Sequence, residues 1–159
     1  MKIVIFGNSG SGKTTLAQKL ATLNSINYLD LDTIAWKSNK PKVRRELSDS
    51  ILDLNQFTSE NESWIVEGCY SGLLKIAMEH STEIIFLNPG VEACVANCKK
   101  RPWEQHKYKT KEEQNKNLDM LIGWVRDYEV RRDEFSLSSH RALFEHFLGD
   151  KQERRDCQG

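Results

Sequence analysis

No apolar run in this 159-residue chain approaches the roughly 20 residues needed to cross a bilayer. An excess of either charge is also missing, since 23 lysines and arginines face 23 aspartates and glutamates. Duplex nucleic acid and anionic membranes attract proteins chiefly through surplus positive charge, so neither direct nucleic-acid binding nor membrane attachment is expected. Cysteine is sparse, and Cys69, Cys94, Cys98 and Cys157 contain no C-x-x-C pair of the zinc type. Cys94 and Cys98, four apart on an expected helix, read either as a redox or metal pair or as buried thiols on one helix face. With a first strand expected from residue 2, no room is left for a signal peptide, and a cytoplasmic protein is expected.

The chain does have a sharply patterned start. The apolar run Ile3-Val4-Ile5-Phe6 leads into Gly7-Asn8-Ser9-Gly10-Ser11-Gly12-Lys13-Thr14-Thr15, which satisfies G-x-x-x-x-G-K-[ST] between a strand and a helix. Glycines let the backbone curl until its N–H groups converge on a phosphate, and the following helix adds its unpaired N-terminal donors. Lys13 then neutralises the β- and γ-phosphates, and the Thr14 hydroxyl completes a magnesium shell. Other signatures of nucleotide hydrolases are missing. No D-x-x-G follows the loop, Asn115-Lys116-Asn117-Leu118-Asp119 has its aspartate one place too late to read guanine, and Asn88 stands where many motor ATPases carry Asp-Glu.

Short apolar runs at Lys2–Phe6, Asn27–Leu29, Trp64–Val66 and Glu83–Leu87 read as strands. Helical spacing intervenes at 13–23, at 44–58 (Leu47, Ile51, Leu54, Phe57), at 91–101, at 118–130 and at 140–148. This alternation predicts an α/β fold of three layers, a parallel sheet of four or five strands with helices on both faces. Residues 1–150 are expected to form one domain, and the tail 151–159 is too polar to pack. No fifth apolar strand is legible.

Ligands of such sheets collect at the carboxyl ends of the strands. There "YLDLD" places Asp30 and Asp32 together, by alternation on the face opposite Leu29 and Leu31. Two adjacent carboxylates invite a cation, and the alternative is a solvated acidic loop with Asp32 capping the next turn. "WIVEGCY" places Glu67 at a strand end, where it orients an acceptor or water or pairs with an arginine, and Gly68 permits close approach of a ligand. From Lys99 to Lys116 seven basic residues face three glutamates, a surplus of four, in a stretch that reads as a mobile lid over 102–117 or as a solvated linker.

Beside "GNSGSGKTTLA", the chain carries "LDLDTIAW" and "WIVEGCY", and its P-loop, "YLDLD" and Arg101-Pro102 together resemble the P-loop kinases of the shikimate and adenylate kinase type. The first three resemble most closely the P-loop kinases termed DNA topology modulation or FlaR-type proteins, over roughly residues 1–90. The resemblance implies ATP and Mg2+ as cofactors and a small-molecule acceptor of the phosphoryl group, in a monomer or homodimer. It assigns Asp30 to magnesium through water and Asp32 to the acceptor and its proton. Arg44 or Arg45 would bind an anionic part of the acceptor, Arg101 would move over the transferred phosphoryl, and Arg126 matches more loosely a second arginine beyond the lid. Shikimate kinases carry a glycine triplet where this chain has only Glu67-Gly68, which argues against shikimate as the acceptor. Nucleoside monophosphate phosphorylation and an ATP-binding regulator of DNA topology are the alternative readings.

Overall fold

The computed structural model describes residues 1–37 and 40–156. Five parallel strands form the central sheet: β1 (Lys2–Gly7), β2 (Asn27–Asp30), β5 (Trp64–Gly68), β6 (Glu83–Leu87) and β7 (Asp150–Arg154), in the spatial order β2-β5-β1-β6-β7. Helices α1 (Lys13–Asn24), α3 (Leu47–Glu60), α4 (Ser71–Met78), α5 (Val91–Lys100), α6 (Lys111–Arg126) and α7 (Leu137–His146) surround it. A short helix α2 (Asp32–Ala35) and a hairpin of β3 (Trp36–Lys37) with β4 (Lys40–Arg44) lie between β2 and α3.

The two faces follow from strand alternation. Ile3 and Ile5 of β1, Ile65 of β5 and Ile85 and Leu87 of β6 pack on Leu16 and Ala17 of α1. Their neighbours Val4, Phe6, Trp64, Val66, Ile84 and Phe86 point to the other face and form the larger cluster with Leu54 of α3 and Leu73, Leu74 and Ala77 of α4. A third cluster joins Cys94, Val95 and Cys98 of α5 to Val125 of α6. The thiols at 94 and 98 thus belong to an apolar helix contact, while Cys157 lies outside the described residues.

Four of the expected strands are present, and the fifth lies where none was expected. Asp150–Arg154, which crosses from the expected domain into the tail expected from 151 not to pack, pairs with β6 from Glu83↔Asp150 to Leu87↔Arg154. An edge strand tolerates a polar sequence because one flank faces solvent. Here Arg141 of α7 grips Glu153 with two bonds of 2.7 and 2.9 Å, and Asn88 N–H donates to the Arg154 carbonyl at 2.7 Å.

Two helix expectations also shift. The helix expected over 44–58 begins at Leu47, because Arg44 still pairs with Trp36 across the hairpin. The stretch 102–117 is not one loop: α6 starts at Lys111, capped by Thr110, whose Oγ1 accepts from the Glu113 N–H at 3.1 Å. Thr-x-x-Glu is a capping signal that the sequence carries openly. Among the described residues, no helix is long and apolar enough to cross a membrane.

Candidate active site

The P-loop passes from β1 to α1 and is pinned from behind by α5 and α6. Asn97 Nδ2 donates to the Gly10 carbonyl at 2.9 Å, and Asn8 Nδ2 donates to the Val125 carbonyl at 3.2 Å. Gly10 and Gly12 adopt φ of +81° and +97°, which other residues take only at a cost. Gly10 also presses against α5, where a β-carbon would overlap the Cys94 carbonyl oxygen and lie 2.8 Å from Cys98 Sγ. Ser9 lies against that thiol as well. Gly12 faces open space, with no protein atom within 4 Å of the place a β-carbon would take.

The donors around this space fit a magnesium-bound polyphosphate. Gly12 opens α1 without a side-chain cap, leaving the first-turn N–H groups of Lys13, Thr14 and Thr15 directed at the loop. Lys13 Nζ lies over the loop, 2.7 Å from the Asn8 carbonyl, and Ser11 Oγ is buried with no hydrogen-bond partner. Thr14 Oγ1 donates to Glu67 Oε2 at 2.6 Å, which leaves its lone pairs for a cation. Among the described residues, no three His, Cys, Asp or Glu side chains are grouped to hold a metal alone. A metal here would share phosphate oxygens, as magnesium commonly does.

The carboxylates behind Thr14 form one network. Asp30, the last residue of β2, is in register with Glu67 near the end of β5. Burial, and then the charge of Asp30, push the Glu67 carboxyl up to about 7. Burial and the charge of Asp32 hold Asp30 above its ordinary value. Asp32 stands two residues on, at the start of α2 and not on the strand, and its N–H donates to Asp30 Oδ1 at 2.9 Å. The pair meets through this turn, and alternation along β2 plays no part. Burial works against the charge of Asp32, but Lys107 outweighs it and the carboxyl lies below its ordinary range.

Asp32 carries two partners that sequence reasoning missed. Lys107 Nζ lies 2.6 Å from its Oδ2, and the Tyr70 hydroxyl donates to Oδ1. Tyr70 in turn accepts from Trp36 Nε1 at 2.7 Å. Tyr70 and Trp36 end two of the motifs quoted above, yet 34 residues separate them and no local pattern couples them.

The expected arginines divide. Arg44 stacks over Tyr70, Trp36 and Phe135 at 4.8, 5.5 and 5.9 Å, with its Nε buried and without a hydrogen-bond partner. Arg45 is committed to the scaffold, through Asp53 at 2.6 Å and the Ile34 carbonyl at 3.1 Å. Arg101 is paired with Glu104 at 3.4 Å, and Arg126 with Glu92 on the exposed side of α5 and α6. Arg126 stays apart from Asp32, and Arg101 is linked to it only through Glu104 and Lys107. Gly68 serves packing, since a β-carbon there would lie 2.8 Å from the Leu31 side chain.

The family description of PduV-EutP, ethanolamine and propanediol utilisation, matches residues 1–41, the stretch from β1 through the P-loop to the hairpin. No curated protein matches the chain in sequence. Solved structures that resemble it include shikimate kinase from Acinetobacter baumannii in complex with shikimate, 22% identical over 89% of each chain, with a TM-score of 0.46. A sugar kinase from Janibacter is 16% identical over 95% of this chain and 83% of its own, at 0.47. A gluconokinase from Sinorhizobium meliloti is 13% identical over 91% and 97%, at 0.49. Identities of 13–22% do not carry an acceptor across, so function must be argued from the site itself.

Proposed function

We propose that the chain is an ATP-dependent kinase that transfers a phosphoryl group to a hydroxyl of a small anionic acceptor. The observation that carries this reading is the hydrogen bond from Thr14 to Glu67. It joins the phosphate cradle to the Asp30–Asp32 carboxylates, so donor and acceptor sides form one site. Bound magnesium-ATP supplies the γ-phosphoryl, which passes to the acceptor oxygen as ADP leaves.

The chain's own groups do the positioning. Lys13 and the first-turn N–H groups of α1 hold the phosphates, and Thr14 with Asp30 faces the metal. Asp32, oriented by Tyr70, accepts the hydrogen bond of the attacking hydroxyl and then its proton. A loose phosphoryl-transfer transition state needs little proton abstraction before the new bond forms, so a carboxylate below its ordinary range is adequate for this task. Arg44, held over the aromatic rings with its Nε unpaired, can offer N–H donors to an acceptor anion. Calorimetry with magnesium-ATP tests the donor side. The wild type should bind and Lys13→Ala should lose most of that affinity; equal affinity of both would place the phosphates elsewhere.

A further inference from the structure

The loop of residues 101–110, between α5 and α6, contains no buried residue. Polar contacts hold it, and such segments open easily when those contacts change. Gln114 of α6 fastens one side, accepting from the Glu104 N–H at 2.7 Å and donating to the Pro102 carbonyl at 2.9 Å. The other fastening is Lys107, which crosses to the carboxyl edge of the sheet. Its Nζ lies 2.6 Å from Asp32 Oδ2, 3.5 Å from Asp30 Oδ2 and 3.3 Å from Glu104 Oε2.

One ammonium thus serves three carboxylates, of which Asp30 lies beside the Thr14–Glu67 pair of the phosphate cradle. A divalent cation held by Thr14 and Asp30 would draw on the same negative charge at close range. Two cations a few ångströms apart repel, and the singly charged one on a flexible stem is the one able to move. We propose that Lys107 is an internal cation that latches loop 101–110 to Asp30 and Asp32 and gives way to magnesium, so that metal-nucleotide loading frees the loop. The latch rests on the nucleotide reading above. It also changes the part played by the basic segment: the cation that reaches the site is Lys107, while Arg101 stays with Glu104.

Two measurements on the full chain test it. In Mn2+ titrations with ADP, followed by the resonance of free Mn2+, Lys107→Met should bind the metal on the order of fivefold more tightly than the wild type, the worth of one partly exposed ion pair. Lys107→Arg should match the wild type. Reductive methylation of the wild type, read by mass spectrometry, should find Lys107 slow beside the exposed Lys109 in ADP with chelator. The Lys107 rate should rise several-fold in ADP with Mg2+. Unchanged Lys107 reactivity despite Mn2+ binding, or equal Mn2+ affinity in Lys107→Met, overturns the latch alone. No Mn2+ binding to the wild type with ADP overturns the latch and the nucleotide reading together.

Discussion

Gly10→Ala and Gly12→Ala should fail in different ways although they sit two residues apart in the same loop. Both positions have positive φ, so a β-carbon costs about 1–2 kcal/mol of backbone strain at either. At Gly10 the methyl must also displace α5, because it overlaps the Cys94 carbonyl and crowds Cys98 Sγ. Overpacking of this kind costs a further ~1–3 kcal/mol, for a total of about 2–5 kcal/mol. That is a large share of a domain stability of roughly 5–15 kcal/mol. At Gly12 no protein atom stands within 4 Å, so only the strain applies. The Gly12 methyl instead enters the space assigned to phosphate. Urea unfolding followed by tryptophan fluorescence, with Trp64 fully buried, gives the stabilities, and magnesium-ATP calorimetry gives the affinities. Gly10→Ala should lose more stability than Gly12→Ala, and Gly12→Ala should stay folded while losing at least about tenfold in nucleotide affinity. Equal stability of the two variants would refute the packing argument. Full nucleotide affinity in Gly12→Ala would refute the placement of the phosphate.

His140 is fully buried between the Tyr128 hydroxyl at 2.7 Å and the Cys69 carbonyl at 2.9 Å, and burial pushes its pKa down to about 4. The unfolded chain takes up the proton near pH 6.5, so this contribution is complete above that pH and falls away toward pH 4, by about 2–3 kcal/mol at pH 4.5. Glu67, raised to about 7, works in the opposite sense over the same window, so the difference between wild type and His140→Gln in urea melts at pH 7.5 and 4.5 isolates the histidine; a pH-independent difference would contradict the assignment. Arg45→Ala should lower stability by up to about 1 kcal/mol and leave acceptor KM alone, whereas Arg44→Ala should raise acceptor KM. The reverse pattern in steady-state kinetics would exchange their roles. Asp32→Asn should lower turnover by about two to four orders of magnitude with little change in ATP affinity, and Tyr70→Phe should produce a smaller loss in the same direction. Wild-type turnover in both variants would make the carboxylate structural.

The P-loop and the four strands β1, β2, β5 and β6 were legible because their signals are local. A glycine spacing and a period-two apolar pattern need no partner to be recognised, and Ile3/Ile5 against Val4/Phe6 divided between the faces as alternation requires. The meeting of Asp30 with Glu67 was legible for a related reason: strand ends in a parallel sheet share one edge, whereas Asp32 joins them through the turn into α2. What escaped depends on distant partners. The strand Asp150–Arg154 has no apolar pattern, and it is held by Arg141 and by the neighbouring edge of β6. The Trp36–Tyr70–Asp32 chain and the reach of Lys107 across 75 residues arise only once the fold has formed. Arg44 and Arg45 were indistinguishable in sequence, and the turn out of the hairpin sends one to the aromatic rings and the other to Asp53. The start of α6 at Lys111 is different. Thr110 and Glu113 announced it, but the surplus of lysines was read as a lid extending through them.

The most direct test of the central claim is phosphorus NMR of the wild-type protein with magnesium-ATP and a panel of small hydroxy acids, sugars, sugar phosphates and nucleosides. With at least one anionic hydroxyl compound a new phosphomonoester resonance should grow in step with ADP, faster than inorganic phosphate forms without acceptor. Release of inorganic phosphate alone, at one rate whatever compound is added, would contradict the claim.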